Sequence, residues 1–368
     1  MLIKSTLGAF FPVFGDGNTV PAIIAASIGI WLFHFVILQG VRQAASLNTV
    51  VTIAKIVPIL IFIGLLILAF DADVFGENLR TAGAAEGTLF SQVRATMLVT
   101  VFVFLGIEGA SVYSRYARRR SDVGVATILG FLGVTGLLVL VTLLPYAVMP
   151  RADIAALRQP SMAGVLEAVV GPWGAVFISI GLLVSVLGAY LAWSLICAEV
   201  LYSAAKTNDM PRIFATENAR AVPAAALWLT NIVVQLFVIS TYWSEDAFQL
   251  MLELTSAMTL IPYLLVAGYG LLISHRGETY ASALQGRMRD LIIAGIAVVY
   301  TAFMIYAGGM VFVLLACLLY APGTLLYFQA RREQGRRVFG RVEWAIFLLT
   351  VVGCLLAIHG LATGYIVI

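Results

Sequence analysis

The stretch that decides the fold is Met97–Ser114, MLVTVFVFLGIEGASVYS. Its apolar run is interrupted by Gly106, Ile107, Glu108 and Gly109, and then continues into a basic cluster. A carboxylate between two glycines is costly to keep inside a membrane helix. Glycines allow the helix to unwind, and the unwound backbone offers carbonyl and N–H groups to a polar solute near the middle of the bilayer. The stretch therefore predicts a broken membrane helix.

The composition of the whole chain agrees with a membrane protein. Of 368 residues, 61% are hydrophobic and only 11% are charged, and the mean hydropathy is +1.00. Soluble domains carry about 25% charged and about 45–50% apolar residues. Apolar runs of about 20 residues recur along the chain, and they predict an all-α polytopic membrane protein rather than a β-barrel.

About ten transmembrane helices are predicted in a single transmembrane domain, residues 1–368. Residues 152–169 are shorter and more polar, and we interpret them as an interfacial helix. Residues 1–19 resemble neither a signal peptide nor a span, and are interpreted as an external loop. The predicted spans are 20–40, 48–70, 95–114, 123–148, 172–204, 222–241, 247–273, 289–307, 309–329 and 341–365.

Basic residues predict the orientation. Most of the 22 lysines and arginines fall in alternate loops, which the positive-inside rule places in the cytoplasm. The first span then runs inward and the C-terminus is external. The cytoplasmic set is Arg42, Arg115, Arg118, Arg119, Arg120, Lys206, Arg212, Arg220, Arg276, Arg287, Arg289, Arg331, Arg332, Arg336, Arg337 and Arg341.

Two charged residues inside spans have both a structural and a functional interpretation. Glu108 either caps the second half of the broken helix or acts as a gate or protonatable element. Lys55 either extends its ammonium to the cytoplasmic surface or is a buried cation that fixes a helix contact or carries a proton.

Several other residues inside the spans are typical of helix–helix packing. Gly181, Ser185 and Gly188 share one helical face, which predicts a close helix–helix seam. Trp193 on the same helix is by itself most typical of packing. Thr255 and Ser256 suit either a substrate-facing helix or an interhelical hydrogen bond.

Several functional classes lack their sequence signals. The histidines and cysteines form no metal-ligand cluster, and no phosphate-binding loop is present. The arginine runs need no nucleic acid to explain them. The span residues contain no nucleophile–base pair of the kind that would indicate an enzyme. We therefore expect no cofactor.

The chain resembles the basic amino acid/polyamine antiporters of the amino acid–polyamine–organocation superfamily, and is most similar to its arginine/ornithine antiporters. The resemblance covers nearly the whole chain. It is carried by the segments NTVVTIAKIVP (48–58), FVFLGIEGASVYSRYARRRSDVG (102–124), PSMAGVLEAVVGPWGAV (160–176), LGAYLAWSLICAEVLYSAAKTNDMP (187–211), VPAAALWLTN (222–231) and TLIPYLL (259–265).

The resemblance implies a five-plus-five inverted-repeat fold and a role for each matched residue. Phe102 corresponds to an aromatic gate, a position where tryptophan would make stronger cation–π contact. Carbonyls near Phe102 and Leu105 would bind the substrate's α-ammonium, and Glu108 would be a proton-sensitive trigger. Trp193 would pack on the aliphatic chain, and Thr255 or Ser256 would contact the guanidinium end.

Lys55 corresponds to a lysine that replaces sodium in some relatives. The family's first three helices have no counterpart here, so the resemblance implies an N-terminally truncated member. The leading hypothesis is an inner-membrane antiporter that exchanges arginine for ornithine by alternating access. Lysine and agmatine remain open as substrates, and a homodimer is one option for the assembly. The alternatives are a proton-coupled amino acid symporter, and a truncated non-transporting protein that senses substrate or needs a partner.

Overall fold

The computed structural model describes residues 2–15, 17–82, 88–112, 114, 117–157, 160–243, 247–278, 280 and 286–366. These residues fold mainly into α-helices. In chain order they are α1 Leu2–Phe10, α2 Val20–Leu38, α3 Val41–Leu68, α4 Ala72–Ala82, α5 Leu89–Phe104, α6 Gly109–Val112, α7 Arg120–Leu143, α8 Arg151–Ala156, α9 Ser161–Val170, α10 Pro172–Lys206, α11 Ala224–Ser240, α12 Ala247–Arg276, α13 Arg287–Gly308, α14 Met310–Glu333 and α15 Arg341–Ala362.

The helices confirm an all-α polytopic membrane protein. In the described part of the chain, eight segments are long and apolar enough to cross a membrane, and each coincides with a predicted span. The predicted span 48–70 corresponds to α3, which forms a pair with α4 bent by 97°. The predicted span 222–241 corresponds to α11, an apolar helix of 17 residues. Large apolar side chains such as Leu265 and Val299 are about 70% exposed, as expected of surfaces that face lipid.

The prediction of a loop over residues 1–19 is wrong for the residues that the structure describes. Leu2–Phe10 forms α1, and Pro12–Phe14 forms a 3₁₀ turn. The helix is packed into the fold, since Thr6 is fully enclosed and Lys4 is only 3% exposed.

The single interfacial helix predicted over 152–169 is two helices, α8 and α9. Helix α8 ends at Ala156, and Pro160 stands immediately before the first residue of α9. Val165 and Leu166 of α9 are buried against Phe62 of α3 and Ile178 of α10. The second helix is therefore part of a hydrophobic core.

Contacts divide the chain into two compact units, and the single-domain interpretation stays a prediction. Unit 1 comprises 1–86 and 106–247, and unit 2 comprises 87–105 and 248–368. In unit 2, Leu98 of α5, Leu260 of α12 and Met304 of α13 form a buried cluster.

The small-residue face of α10 lies in unit 1 and allows a close helix approach. A Cβ atom added to Gly181 would lie 2.7 Å from Cγ of Pro58 on α3. Such a distance is shorter than van der Waals contact, so only glycine fits there. This close approach agrees with the packing seam that the spacing predicts.

A polar network joins α2, α10 and α11 in unit 1. Tyr190 donates its hydroxyl hydrogen to Asn231 Oδ1 at 2.5 Å. The amide of Asn231 donates to Leu227 O at 3.2 Å and lies 2.9 Å from His34 Nδ1. Because both His34 and Asn231 are fully buried, these bonds fix the packing of the three helices.

Candidate functional site

The helical hydrogen bonds of the decisive stretch stop at the predicted break. Helix α5 ends at Phe104, and Leu105 takes an extended conformation with φ −61° and ψ 136°. The N–H of Leu105 turns back to the carbonyl of Phe102 at 3.1 Å. Within unit 2, that carbonyl therefore already accepts one bond, and it keeps a second lone pair.

Glu108 lies where the second half of the broken helix begins. Its carbonyl accepts from the N–H groups of Ser111 at 2.8 Å and Val112 at 3.2 Å, the position of a helix N-cap residue. Its carboxylate, however, does not cap the helix from the side chain. Oε2 accepts the N–H of Gly106 at 2.9 Å. The Glu108 carboxylate therefore closes residues 106–108 into a loop through a charge-assisted hydrogen bond.

Gly106 is the residue that makes this loop possible. Its φ is +103°, a region that side-chain-bearing L-residues rarely adopt. A Cβ atom at this position would lie 3.3 Å from Cζ2 of Trp193 on α10. The indole edge thus rests directly on the Gly106 backbone. Trp193 is 38% exposed, so the packing of unit 1 leaves part of its ring accessible.

Unit 1 therefore brings three of the predicted residues together: Gly106, Glu108 and Trp193. Gly109 continues the loop by donating its N–H to Gly106 O at 2.9 Å, and Ile107 lies between them, half-buried. The arrangement is a short unwound segment with a carboxylate inside the loop and an indole edge beside the backbone of Gly106. Such a segment can hold a cationic, hydrogen-bonding solute without covalent chemistry.

Lys55 lies on α3, half-buried and three residues before Pro58. The described residues provide its ammonium with no hydrogen bond or ion pair. Its two interpretations, surface extension and buried cation, remain predictions.

The two hydroxyl residues of α12 differ in their surroundings within unit 2. Ser256 is fully buried, and its Oγ lies 2.8 Å from Leu98 O of α5 and 2.9 Å from Leu252 O. This is the interhelical hydrogen bond that the sequence offered as an alternative. Thr255 is exposed and donates to Met251 O of its own helix at 2.6 Å. Phe102 is half-buried in the same unit.

Sequence reasoning gave no role to the Tyr190–Asn231–His34 network or to Lys4. An asparagine in the middle of an apolar helix is a signal that could have located the network, because unpaired amides are rare there. Lys4 gave no such signal, since only the fold buries it. Among the described residues, no group of three His, Cys, Asp or Glu side chains could hold a metal ion.

Comparison with known proteins adds to this geometry. The amino acid permease family pattern matches residues 1–315. The arginine/ornithine antiporter of Pseudomonas aeruginosa is 49% identical over 100% of this chain and 77% of its own length. The L-lysine transport protein of Corynebacterium glutamicum is 39% identical over 99% of this chain and 75% of its own. The arginine/agmatine antiporter of Chlamydia pneumoniae is 38% identical over 100% of this chain and 77% of its own. These matches confirm the resemblance predicted from the sequence.

Proposed function

This chain belongs to the amino acid permease family, and from that premise we propose that it exchanges arginine for ornithine across the inner membrane. One observation carries the proposal: the broken helix in which Glu108 accepts the Gly106 N–H and the indole edge of Trp193 lies against Gly106. The 49% identity to an arginine/ornithine antiporter supports the choice of substrates. Lysine and agmatine are the next candidates, because other relatives are named for them.

In this proposal the unwound segment binds the backbone end of the substrate. The α-ammonium donates to carbonyls near Phe102 and Leu105, and the aromatic ring of Phe102 closes over the bound molecule. Trp193 packs against the aliphatic chain, which suits its partly exposed ring. Thr255 is the better of the two hydroxyls for the guanidinium end, because the hydroxyl of Ser256 already lies against the backbone of α5.

Glu108 would couple binding to protonation. The ionised carboxylate accepts the Gly106 N–H, whereas a protonated carboxyl is a weaker acceptor. Loss of that bond would loosen the loop on which the indole rests. Substrate and proton would then bias the same short segment, which is the requirement for coupling between them.

The test is uptake of radiolabelled arginine by the full chain in proteoliposomes. An exchanger takes up arginine when the lumen holds ornithine and does not when the lumen is empty. Uptake into empty liposomes driven by a proton gradient would instead indicate a symporter. Saturable binding without flux in either case would indicate a non-transporting protein, and both of these results would overturn the proposal.

Lys55 is tested in the same liposomes. One interpretation is that the Lys55 ammonium fixes a helix contact that turnover needs. In that case Lys55→Ala should slow exchange at least tenfold at saturating arginine, because a tenfold effect is on the order of the free energy of one charged hydrogen bond. Lys206→Ala is the matched control, because Lys206 is exposed on the same unit. Full activity of Lys55→Ala would assign Lys55 to the membrane surface.

The orientation follows from the loop charges and is also a proposal. Arg118 would face the cytoplasm and Gly364 the outside. A cysteine placed at residue 118 that reacts with an impermeant thiol reagent added to intact cells would contradict this topology.

A further inference from the structure

The connection between α14 and α15 in unit 2 carries a dense positive charge. Residues 331–343, which we call the basic turn, contain five arginines and two glutamates, and their net charge of +3 equals the formal net charge of the whole chain. Helix α14 ends at Glu333 and α15 begins at Arg341, and both helices are long and apolar enough to cross a membrane. Since a short turn joins the two spans, this charge lies at a membrane surface.

The backbone of the basic turn has the hydrogen bonds of a Schellman motif. The N–H of Gly335 donates to Arg332 O at 3.1 Å, and the N–H of Arg336 donates to Arg331 O at 3.1 Å. Gly335 has φ +64°, the left-handed conformation that this motif uses directly after a helix. The motif ends α14 and returns Arg336 to its last turn, so the backbones of arginines on both sides of Gly335 lie close together.

Side chains hold the base of the basic turn. Glu343 of α15 accepts the hydroxyl hydrogen of Tyr327 at 3.1 Å and lies 3.6 Å from the guanidinium group of Arg331. The ring of Phe339 stacks on Tyr327 and on Phe347, with centroid distances of 5.9 and 5.1 Å. These contacts tie α14 to α15 and engage one of the five arginines in the packing of the two helices.

The other four arginines extend from this base beside an apolar surface. Trp344 lies just inside α15 and is 49% exposed, and Val342 is 73% exposed. An exposed tryptophan near the end of a span is typical of the boundary between lipid headgroups and acyl chains. A guanidinium group binds a phosphate through two parallel N–H bonds. The four exposed arginines are Arg332, Arg336, Arg337 and Arg341.

The arginines between α12 and α13, in the same unit, are used differently. Arg276 forms an ion pair with Glu278 at 3.4 Å. Arg287 donates from Nε to Ser274 O at 2.9 Å, and so binds a carbonyl in the last turn of α12. Both connections carry the positive charge that is typical of the cytoplasmic ends of spans. The basic turn differs by its density of exposed guanidinium groups on a fixed backbone.

We propose that the basic turn binds an anionic phospholipid, with the exposed guanidinium groups on its phosphate and Trp344 beside its glycerol backbone. The proposal uses the cytoplasmic orientation proposed above, because the cytoplasmic leaflet carries anionic lipids. Clusters of about four to eight basic residues next to a span are typical of such recognition. A free phosphate ion would use the guanidinium groups alone, whereas a lipid also uses the apolar surface at Val342 and Trp344.

The experiment is native mass spectrometry of the full chain in detergent, titrated with phosphatidylglycerol or phosphatidylcholine that have identical acyl chains. It resolves the first bound lipid and measures its affinity. The double variant Arg336→Gln with Arg337→Gln removes two exposed charges from the basic turn. The double variant Arg276→Gln with Arg289→Gln is the matched control, because it removes two exposed charges from the ends of α12 and α13.

The wild type should bind the first phosphatidylglycerol at least roughly tenfold more tightly than phosphatidylcholine. The basic-turn variant should weaken phosphatidylglycerol by about 25-fold, because each arginine near an anionic surface contributes about fivefold. Its phosphatidylcholine affinity and the phosphatidylglycerol affinity of the control variant should stay within about threefold of wild type. Inorganic phosphate at millimolar concentration should not displace the bound phosphatidylglycerol.

Equal wild-type affinity for the two lipids would overturn the proposal, and so would unchanged phosphatidylglycerol affinity in the folded basic-turn variant. An equal loss in the control variant would show that total charge, and not this turn, attracts the lipid. Displacement by inorganic phosphate would show a site for a free anion. If the basic-turn variant does not fold, Arg332→Gln with Arg341→Gln removes two other exposed charges of the same turn and decides the question. All of these readouts are lipid-binding measurements, so their outcome is separate from that of the exchange assay.

Discussion

Replacement of Gly106 by alanine tests whether the unwound loop is the working part of the protein. The structure predicts two unfavourable effects of this substitution. Alanine at φ +103° is strained by about 1–3 kcal/mol. Its Cβ would also lie 3.3 Å from Trp193 Cζ2, so the indole or the loop must shift by a few tenths of an ångström. A shift of the loop also lengthens the 2.9 Å bond from the Gly106 N–H to Glu108.

The combined cost of about 2–3 kcal/mol corresponds to a weakening of arginine affinity by roughly 30- to 150-fold if substrate requires this loop geometry. Equilibrium binding of labelled arginine to protein in nanodiscs measures it directly. Gly109→Ala is the matched control. Gly109 belongs to the same motif, and its Cβ would make ordinary contact with Ile196 at 4.0 Å. We expect this variant to bind within about threefold of wild type.

Thermal unfolding of the same samples separates a damaged site from a damaged fold. The expected pattern is a large loss of affinity in Gly106→Ala at a temperature well below its unfolding midpoint. Wild-type affinity in a folded Gly106→Ala variant would refute the reasoning, because it would show that the substrate does not depend on the loop that Gly106 permits. An equal loss in Gly109→Ala would refute the assignment to φ and to Trp193.

Three further predictions concern coupling, packing and the buried lysine. Glu108→Gln keeps the shape but removes the charge, so the exchange rate should lose most of its dependence on pH; an unchanged pH profile in proteoliposomes would exclude Glu108 from coupling. Gly181→Ala forces a Cβ to 2.7 Å from the proline ring of α3. This overpacking should lower the free energy of unfolding by about 1–3 kcal/mol and lower the unfolding temperature. Gly130→Ala is the control, because its Cβ would lie in open space, and it should not lower the unfolding temperature. Burial lowers the pKa of Lys4 from 10.5 to about 8, so between these values the unfolded chain holds a proton that the folded chain has released. Stability should therefore rise by about 3 kcal/mol as pH increases through this window, and denaturant titrations of Lys4→Met should lack the rise.

The break in the third predicted span could be read from the sequence because its signal is local. Two glycines flank a carboxylate within an apolar run, and each residue type weakens a membrane helix through its own chemistry. The structure ends α5 at Phe104 and begins α6 at Gly109, on either side of that motif. The family assignment, by contrast, rests on segments spread along most of the chain.

Ser256 shows where local reasoning stops. A hydroxyl on an apolar helix can face a solute, a neighbouring helix or its own backbone, and the sequence contains no information about which. Only the packing of α12 against α5 directs its Oγ to Leu98 O. The N-terminal α1 is a similar case, because nine residues carry too weak a periodic signal to distinguish a helix from a loop.

By itself, the sequence determined the membrane class, the approximate spans, the helix break and the family, since all of these depend on composition and on patterns within about 20 residues. The tertiary structure decided which separated residues meet. It placed Trp193 on the backbone of Gly106, turned the Glu108 carboxylate back onto the loop, and buried Lys4 against Thr241. These contacts join residues up to 237 positions apart, and they depend on how helices pack rather than on what any one helix contains.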